Sequence, residues 1–161
     1  MTRRKIRENL YIMLFRLDFY NKEEVKTQAD IYLEEEIENA SGKDKEELRN
    51  KFSIVLGHLE EIDAQIESKS KGWALNRIAK AELTVLRLAV FELLYLDDVP
   101  DSVAINEAVE LAKLYCSEKS RGFINGVLAS VVKEKEKNSK EKDKDSKEND
   151  ACIQEGISLK E

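Results

Sequence analysis

Arg3, Arg4, Lys5 and Arg7 crowd four cations into the first seven residues of the chain. On a helix Arg3 and Arg7 fall one turn apart on the same side, with Arg4 about 100° round, so their guanidinium groups can face a phosphate backbone together. Cations at a helix N-terminus oppose the macrodipole at a cost of about 0.3–1 kcal/mol each. A sequence selected for stability alone would avoid the arrangement, which points to polyanion binding; an incidental charged start is the plainer alternative. A second unusual segment is Phe123-Ile124-Asn125-Gly126-Val127-Leu128, just past Arg121-Gly122. Its glycine interrupts a helical stripe at about 1 kcal/mol relative to alanine, which close approach of another helix would explain. Phe123 either packs in the core, the reading its pattern favours, or offers an exposed ring on which an unpaired base stacks.

Catalytic groups are harder to assemble. The single histidine, His58, falls inside a helical stripe with no serine, cysteine or carboxylate cluster at a connectable spacing, so a structural role is expected. The glycines match neither a phosphate loop nor a dinucleotide fingerprint. Glu107 and Glu110, at i and i+3, lack the Glu-x-x-His partner of a carboxylate metal site and read as a solvated helix face. Cys116 and Cys152 stand too far apart for a zinc spacing or a disulfide framework, which fits a reducing compartment. No catalytic residue, metal or cofactor is predicted, and the chain is not expected to be an enzyme.

The elements that must position these residues read as helices. Ile6, Leu10, Met13, Leu14 and Leu17 form one face of a first helix from about Arg3 to Tyr20, and a weaker one spans about Val25 to Asn39. Leu48, Phe52, Val55, Leu56, Leu59, Ile62 and Ile66 keep a single stripe over roughly five turns. From Trp73 to Leu96 apolar residues occupy nearly every face, as in a helix surrounded by others. Val99-Pro100 stops it, and Asp101 or Ser102 can cap the next helix, which carries Ile105, Ala108, Val109, Ala112 and Tyr115. Ser117 or Ser120 can cap a last one carrying Ile124, Val127, Leu128 and Val131. About seven helical pieces result, an all-α bundle.

At 161 residues, 42% apolar and 37% charged with one proline, the chain suits a single helical core. Residues 133 to 150 hold seven lysines and seven acids with no apolar side chain. A disordered charged tail is therefore expected over 134–161, after an ordered domain over 1–133. Its mixed charges make it a poor basic RNA arm. The most apolar stretch, Leu86 to Leu96, is broken by Glu92, so neither secretion nor membrane spanning is expected, and the chain reads as cytoplasmic. The net charge of −6 argues against a polyanionic partner. Its segregation, basic at the start and acidic at Glu34-Glu35-Glu36, Glu46-Glu47 and Glu60-Glu61, suggests a local polyanion site on an acidic body.

Four segments together resemble the NusB family of bacterial transcription antitermination factors: Arg3 to Glu8, Ala81 to Glu92, Val99 to Lys113 and Phe123 to Leu128. The resemblance covers about residues 1 to 133. It implies a compact all-α fold of two helical subdomains that binds the boxA RNA element together with the ribosomal protein NusE and joins an RNA polymerase antitermination complex, notably on ribosomal RNA operons. By the resemblance, Arg3, Arg4 and Arg7 contact RNA with Lys5 as an addition, Phe123 does so near the start of the last helix, and Phe15 and Glu82 face the protein partner. Phe15 stands where the family usually has tyrosine, so a hydroxyl contact is absent. Gly122 replaces a frequent basic residue, leaving Arg121 to serve from one position earlier.

Two rival readings stay open: a helical scaffold or homo-oligomeric module that does not touch RNA, and an RNA-modifying enzyme, since such helical domains also occur fused to methyltransferases. No glycine-rich strand-loop-helix follows here to hold a methyl donor. Whether the chain is a monomer or a homodimer is not fixed by its sequence.

Overall fold

A computed structural model describes the backbone of residues 1–158 and the side chains of residues 1–142. Seven α-helices follow one another among the described residues: α1 (Arg3–Phe15), α2 (Lys22–Ile31), α3 (Gly42–Gly57), α4 (Leu59–Lys69), α5 (Lys80–Tyr95), α6 (Asp101–Tyr115) and α7 (Ser120–Ser158). A 3-10 turn at Arg16–Phe19 extends α1, and a π turn at Tyr32–Glu36 ends α2.

Helix α5 is the axis of the fold. Its residues Leu83 to Leu93 are all buried, and it packs on α1, α4, α6 and α7. The N-terminal group α1–α3 thus meets the C-terminal group α4–α7 along the α1–α5 contact, and one apolar cluster from Ile6 to Val131 runs through both. The two charged side chains inside the buried run are each answered by a partner. Arg87 donates to both oxygens of Asp63 at 2.8 and 2.9 Å, and to Asp18 at 3.3 Å. Glu92 accepts from Arg7 at 2.6 and 3.1 Å. Burying such charges is tolerated because each carboxylate–guanidinium pair is close and doubly hydrogen-bonded.

Local chemistry sets the helix starts. Thr2 accepts from the Lys5 N–H to cap α1, Asn21 from the Glu24 N–H to cap α2, and Ser41 with Asp44 forms a reciprocal capping box on α3. The first turn of α1 carries no acid, so that turn itself supplies no countercharge to Arg3, Arg4 and Lys5.

Several boundaries differ from the sequence reading. The expected single helix through His58 breaks there: His58 has φ −118° and ψ 14° and separates α3 from α4. Val55, Leu59, Ile62 and Ile66 keep helical spacing across the break, which is why periodicity does not register it. Its ring stacks on Tyr95 at 4.3 Å and its Nδ1 lies 3.0 Å from Glu61, a structural placement. The central helix starts at Lys80 rather than Trp73, and a short 3-10 helix at Leu75–Arg77 precedes it. Neither Asp101 nor Ser102 caps α6. Pro100 takes the cap position without a side-chain bond, and Asp101, now the first helical residue, accepts from Lys135 at 2.8 Å.

The segment from residue 134, where the sequence reading ends the core domain, continues α7 as helix to Ser158; residues 159–161 lie outside the description. Lysine and glutamate are good helix formers, opposite charges recur four residues apart at Glu136–Lys140 and Lys137–Glu141, and no glycine or proline intervenes between Gly126 and Gly156. The Glu134–Lys69 and Lys135–Asp101 pairs tie the start of this extension to the body.

Close helix approach does not explain Gly126. A Cβ there, or at Gly122, would meet nothing within 4 Å, and both residues are exposed. Replacing Gly126 with alanine should therefore raise stability by about 0.5–1 kcal/mol through helix propensity. Urea unfolding followed by circular dichroism checks this: a lower midpoint would mean that the site is more crowded than its surroundings indicate.

Candidate nucleic-acid and partner surfaces

The four N-terminal cations have different fates. Arg3 is exposed and has no side-chain partner among the described residues. Lys5 is exposed and reaches Glu8 at 3.1 Å, an i, i+3 surface pair that a phosphate can displace. Arg4 is 62% exposed yet donates through Nε and Nη2 to Glu107 at 3.2 and 2.9 Å. Arg7 is different in kind: only 10% exposed, it lies doubly bonded to Glu92, itself 6% exposed, with Glu107 a further 3.6 Å from Nη1. Arg7 is thus built into the α1–α5–α6 junction, and the expectation that its guanidinium faces phosphate beside Arg3 does not fit this placement. Helical spacing puts Arg3 and Arg7 on one side, but that side turns inward at Arg7.

Glu107 is therefore not part of a plain solvated face, since it receives two arginines. Its neighbour Glu110 has its carboxyl lowered from the ordinary range, first by the hydrogen bond from Lys113 and more weakly by the positive fields of Arg4 and Arg121. Through Glu107 the start of α1 is tied to α6, and α7 packs on the same helix. Arg121 is partly buried, with an Nε that has no hydrogen-bond partner. Phe123 is half-buried: it packs against the core and also lines a groove with Gly122 and Gly126.

A separate aromatic row marks the other end of α1. Tyr115 stacks on Tyr11 at 4.4 Å, Tyr11 on Phe15 at 6.3 Å, and Phe15 meets Phe19 at 5.6 Å. Phe19 is 58% exposed beneath the Lys80 ammonium, 4.4 Å from its ring centre. Glu82, two residues after Lys80 on α5, accepts from the Ser120 hydroxyl that opens α7. Phe15 and Glu82 are thus both anchored in intramolecular contacts, and Phe19 and Tyr115 supply exposed ring surface beside them. The nearby Cys116 thiol is pushed up to about 11, by burial first and Glu82 second, so it stays protonated and is no ready nucleophile.

The NusB family model matches residues 4–133. The chain belongs to the NusB family. A relative called transcription antitermination protein NusB, from Agathobacter rectalis, is 47% identical over 129 residues, covering 80% of this chain and 98% of that protein. The Lachnoclostridium phytofermentans protein of the same name is 44% identical, covering 82% and 99%. Among solved structures, Thermotoga maritima NusB superposes with a TM-score of 0.75 at 36% identity, covering 83% of this chain and 92% of that one. A chain from a crystal structure of antitermination factors NusB and NusE with double-stranded RNA reaches 0.66 at 29% identity, covering 83% and 98%. NusB proteins are transcription antitermination factors and not enzymes, in keeping with a fold whose only histidine is stacked at a helix junction. No described helix is long and apolar enough to cross a membrane.

For this NusB chain, sequence reasoning missed the internal employment of Arg7 and Glu92, which no local pattern can reveal, and the exposed rings of Phe19 and Trp73. The ring of Phe19 had a signal: it falls after the apolar stripe of α1 ends, next to the polar pair Asp18 and Tyr20.

Proposed function

We propose that this chain is a cytoplasmic transcription antitermination factor whose 1–133 domain binds boxA-type single-stranded RNA together with the ribosomal protein NusE. The pair then associates with RNA polymerase and supports ribosomal RNA transcription. The observation that carries this reading is the exposed cation group Arg3, Arg4 and Lys5 at the start of α1 on an otherwise acidic protein. Arg3, Arg4 and Lys5 supply phosphate affinity from the arm, Arg121 and Phe123 extend it, and base contacts supply sequence preference. Arg7 acts from behind, holding the arm's helix to α5. The row from Phe15 to Phe19, together with Glu82 on α5, is the proposed landing for NusE. The solved NusB–NusE assembly supports this reading as a relative, and its double-stranded RNA makes a duplex competitor the natural control.

The test is a filter-binding titration of boxA-type RNA against scrambled and duplex RNA, with and without NusE, repeated across salt. About three neutralised phosphates predict a log–log salt slope near −2 for the single strand. A flat response, or equal affinity for the scrambled strand, overturns the assignment of the arm or of the sequence preference respectively.

A further inference from the structure

The groove beside Phe123 has features that its own fold does not require. Trp73, the only tryptophan, is 55% exposed on its rim. The ring is carried by a tight turn: Lys71 and Gly72 both take positive φ, 47° and 88°. Ser70, buried, has its hydroxyl 2.7 Å from the Trp73 carbonyl and 3.0 Å from that of Glu67, and the Trp73 N–H donates back to Ser70. A lysine in the left-handed region is strained, so this turn holds the indole outward against both backbone and solvation preference. Opposite it, Gly122 and Gly126 stand one turn apart on α7 with open space where side chains would be. Two exposed glycines in a helix sacrifice helix propensity, yet nothing inside the protein needs their smallness. Lys69 and Lys71 line the same groove and, among the described residues, no carboxylate does, although Glu134 reaches Lys69 from α7 at 3.0 Å.

We infer that the groove between Trp73 and Phe123 takes one unpaired RNA base, lying over the Gly122–Gly126 backbone and stacked on the indole, with the adjoining phosphates beside Lys71 and Lys69. The inference rests on the RNA-binding reading above and deepens it. A flat aromatic ligand is what an aromatic wall facing a side-chain-free helix surface accommodates. The lysine rim selects an anionic strand over an acidic-rimmed or neutral peptide. Phe123 lines the groove as well, so a strand held at the start of α7 by Arg121 can run onto it.

Because Trp73 is the sole tryptophan, its emission reports the groove alone. The full chain is titrated at low ionic strength with unlabelled boxA-type single-stranded RNA while indole fluorescence is read, with the Trp73→Phe chain as blank. Anisotropy of a labelled strand measures affinity independently, and both arms are run with and without NusE. Saturating RNA should quench most of the Trp73 emission. Trp73→Ala should weaken binding roughly 5- to 100-fold, a span set by the loss of one base–aromatic stack, and Trp73→Phe should recover most of it. Gly126→Leu, which the fold can accommodate, should weaken binding similarly by filling the groove. RNA bound with unchanged affinity by Trp73→Ala and Gly126→Leu, with emission unmoved in the parent chain, overturns this inference and leaves the RNA-binding reading standing. No binding of RNA by anisotropy under any condition overturns both. Loss of NusE affinity in Trp73→Ala with RNA affinity intact makes the groove a protein-docking surface and also overturns the inference.

Discussion

Replacing Arg7 with alanine should lower the stability of the fold by about 3 kcal/mol, an effect that no phosphate-contacting residue on a mobile arm would produce. The substitution leaves Glu92 buried in α5 without its two charge-assisted hydrogen bonds, and breaking one side of a buried pair typically costs about 3–5 kcal/mol because the orphaned charge stays desolvated. The lower end is chosen because Arg7 borders open surface grooves on either side, through which water can reach Glu92. Arg3→Ala, by contrast, removes an exposed side chain and should fall within about 0.5 kcal/mol of the parent. Urea unfolding of both variants separates the roles. A double change, Arg7→Met with Glu92→Leu, should recover most of the loss, since apolar groups of similar size need no desolvation. If Arg7→Ala unfolds with the parent chain and only RNA affinity drops, the internal pair is not what holds α1 to α5, and Arg7 returns to the RNA-facing set.

Arg87→Ala should be more damaging still, about 3–5 kcal/mol. Arg87 is 4% exposed at the middle of α5 and links three elements: its own helix, α4 through Asp63, and the turn after α1 through Asp18. The two partners are unequal. Asp63 takes two close bonds and is mostly enclosed, whereas Asp18 takes one longer bond and is more than a third exposed. Asp63→Ala should therefore approach the cost of losing Arg87, while Asp18→Ala should cost under about 1 kcal/mol, as for a surface pair. Equilibrium unfolding of the three variants tests the ranking, and equal losses from the two aspartates would refute it.

These two arginines also mark where sequence and structure part. The apolar density of Val85 to Leu94 makes α5 recognisable as the central helix at once, and the stripes of α1, α6 and the first turns of α7 are equally plain. The same density misleads at its edge: Ala74, Leu75 and Ile78 continue an apolar texture upstream, so Trp73 looks helical, although Gly72 and the Lys71 turn precede it and the helix begins only at Lys80. Arg7 could not be read correctly by any local rule, because the residue that claims it lies 85 positions away. Arg3, Arg4 and Lys5 look identical to Arg7 in composition and differ only in where the helix surface turns. Phe123 lies between its two expected states, one edge in the core and one on a groove, and the close-approach explanation expected for Gly126 is removed by the open space around it. The family resemblance supplied Phe15 and Glu82, which composition alone would not have singled out.

The position of α5 in the chain bears on how the protein is made. Its enclosing helices come from both sides along the polypeptide, α1 and α4 before it and α6 and α7 after. During synthesis a greasy eleven-residue surface must emerge from the ribosome before half of its cover has been translated. Arg87 and Glu92, spaced within that surface, interrupt it with charge during this interval, and their early partners Asp63, Asp18 and Arg7 have all been translated already. Ionic anchoring can thus precede apolar closure in the nascent chain, with the last two helices arriving to complete a half-built shell.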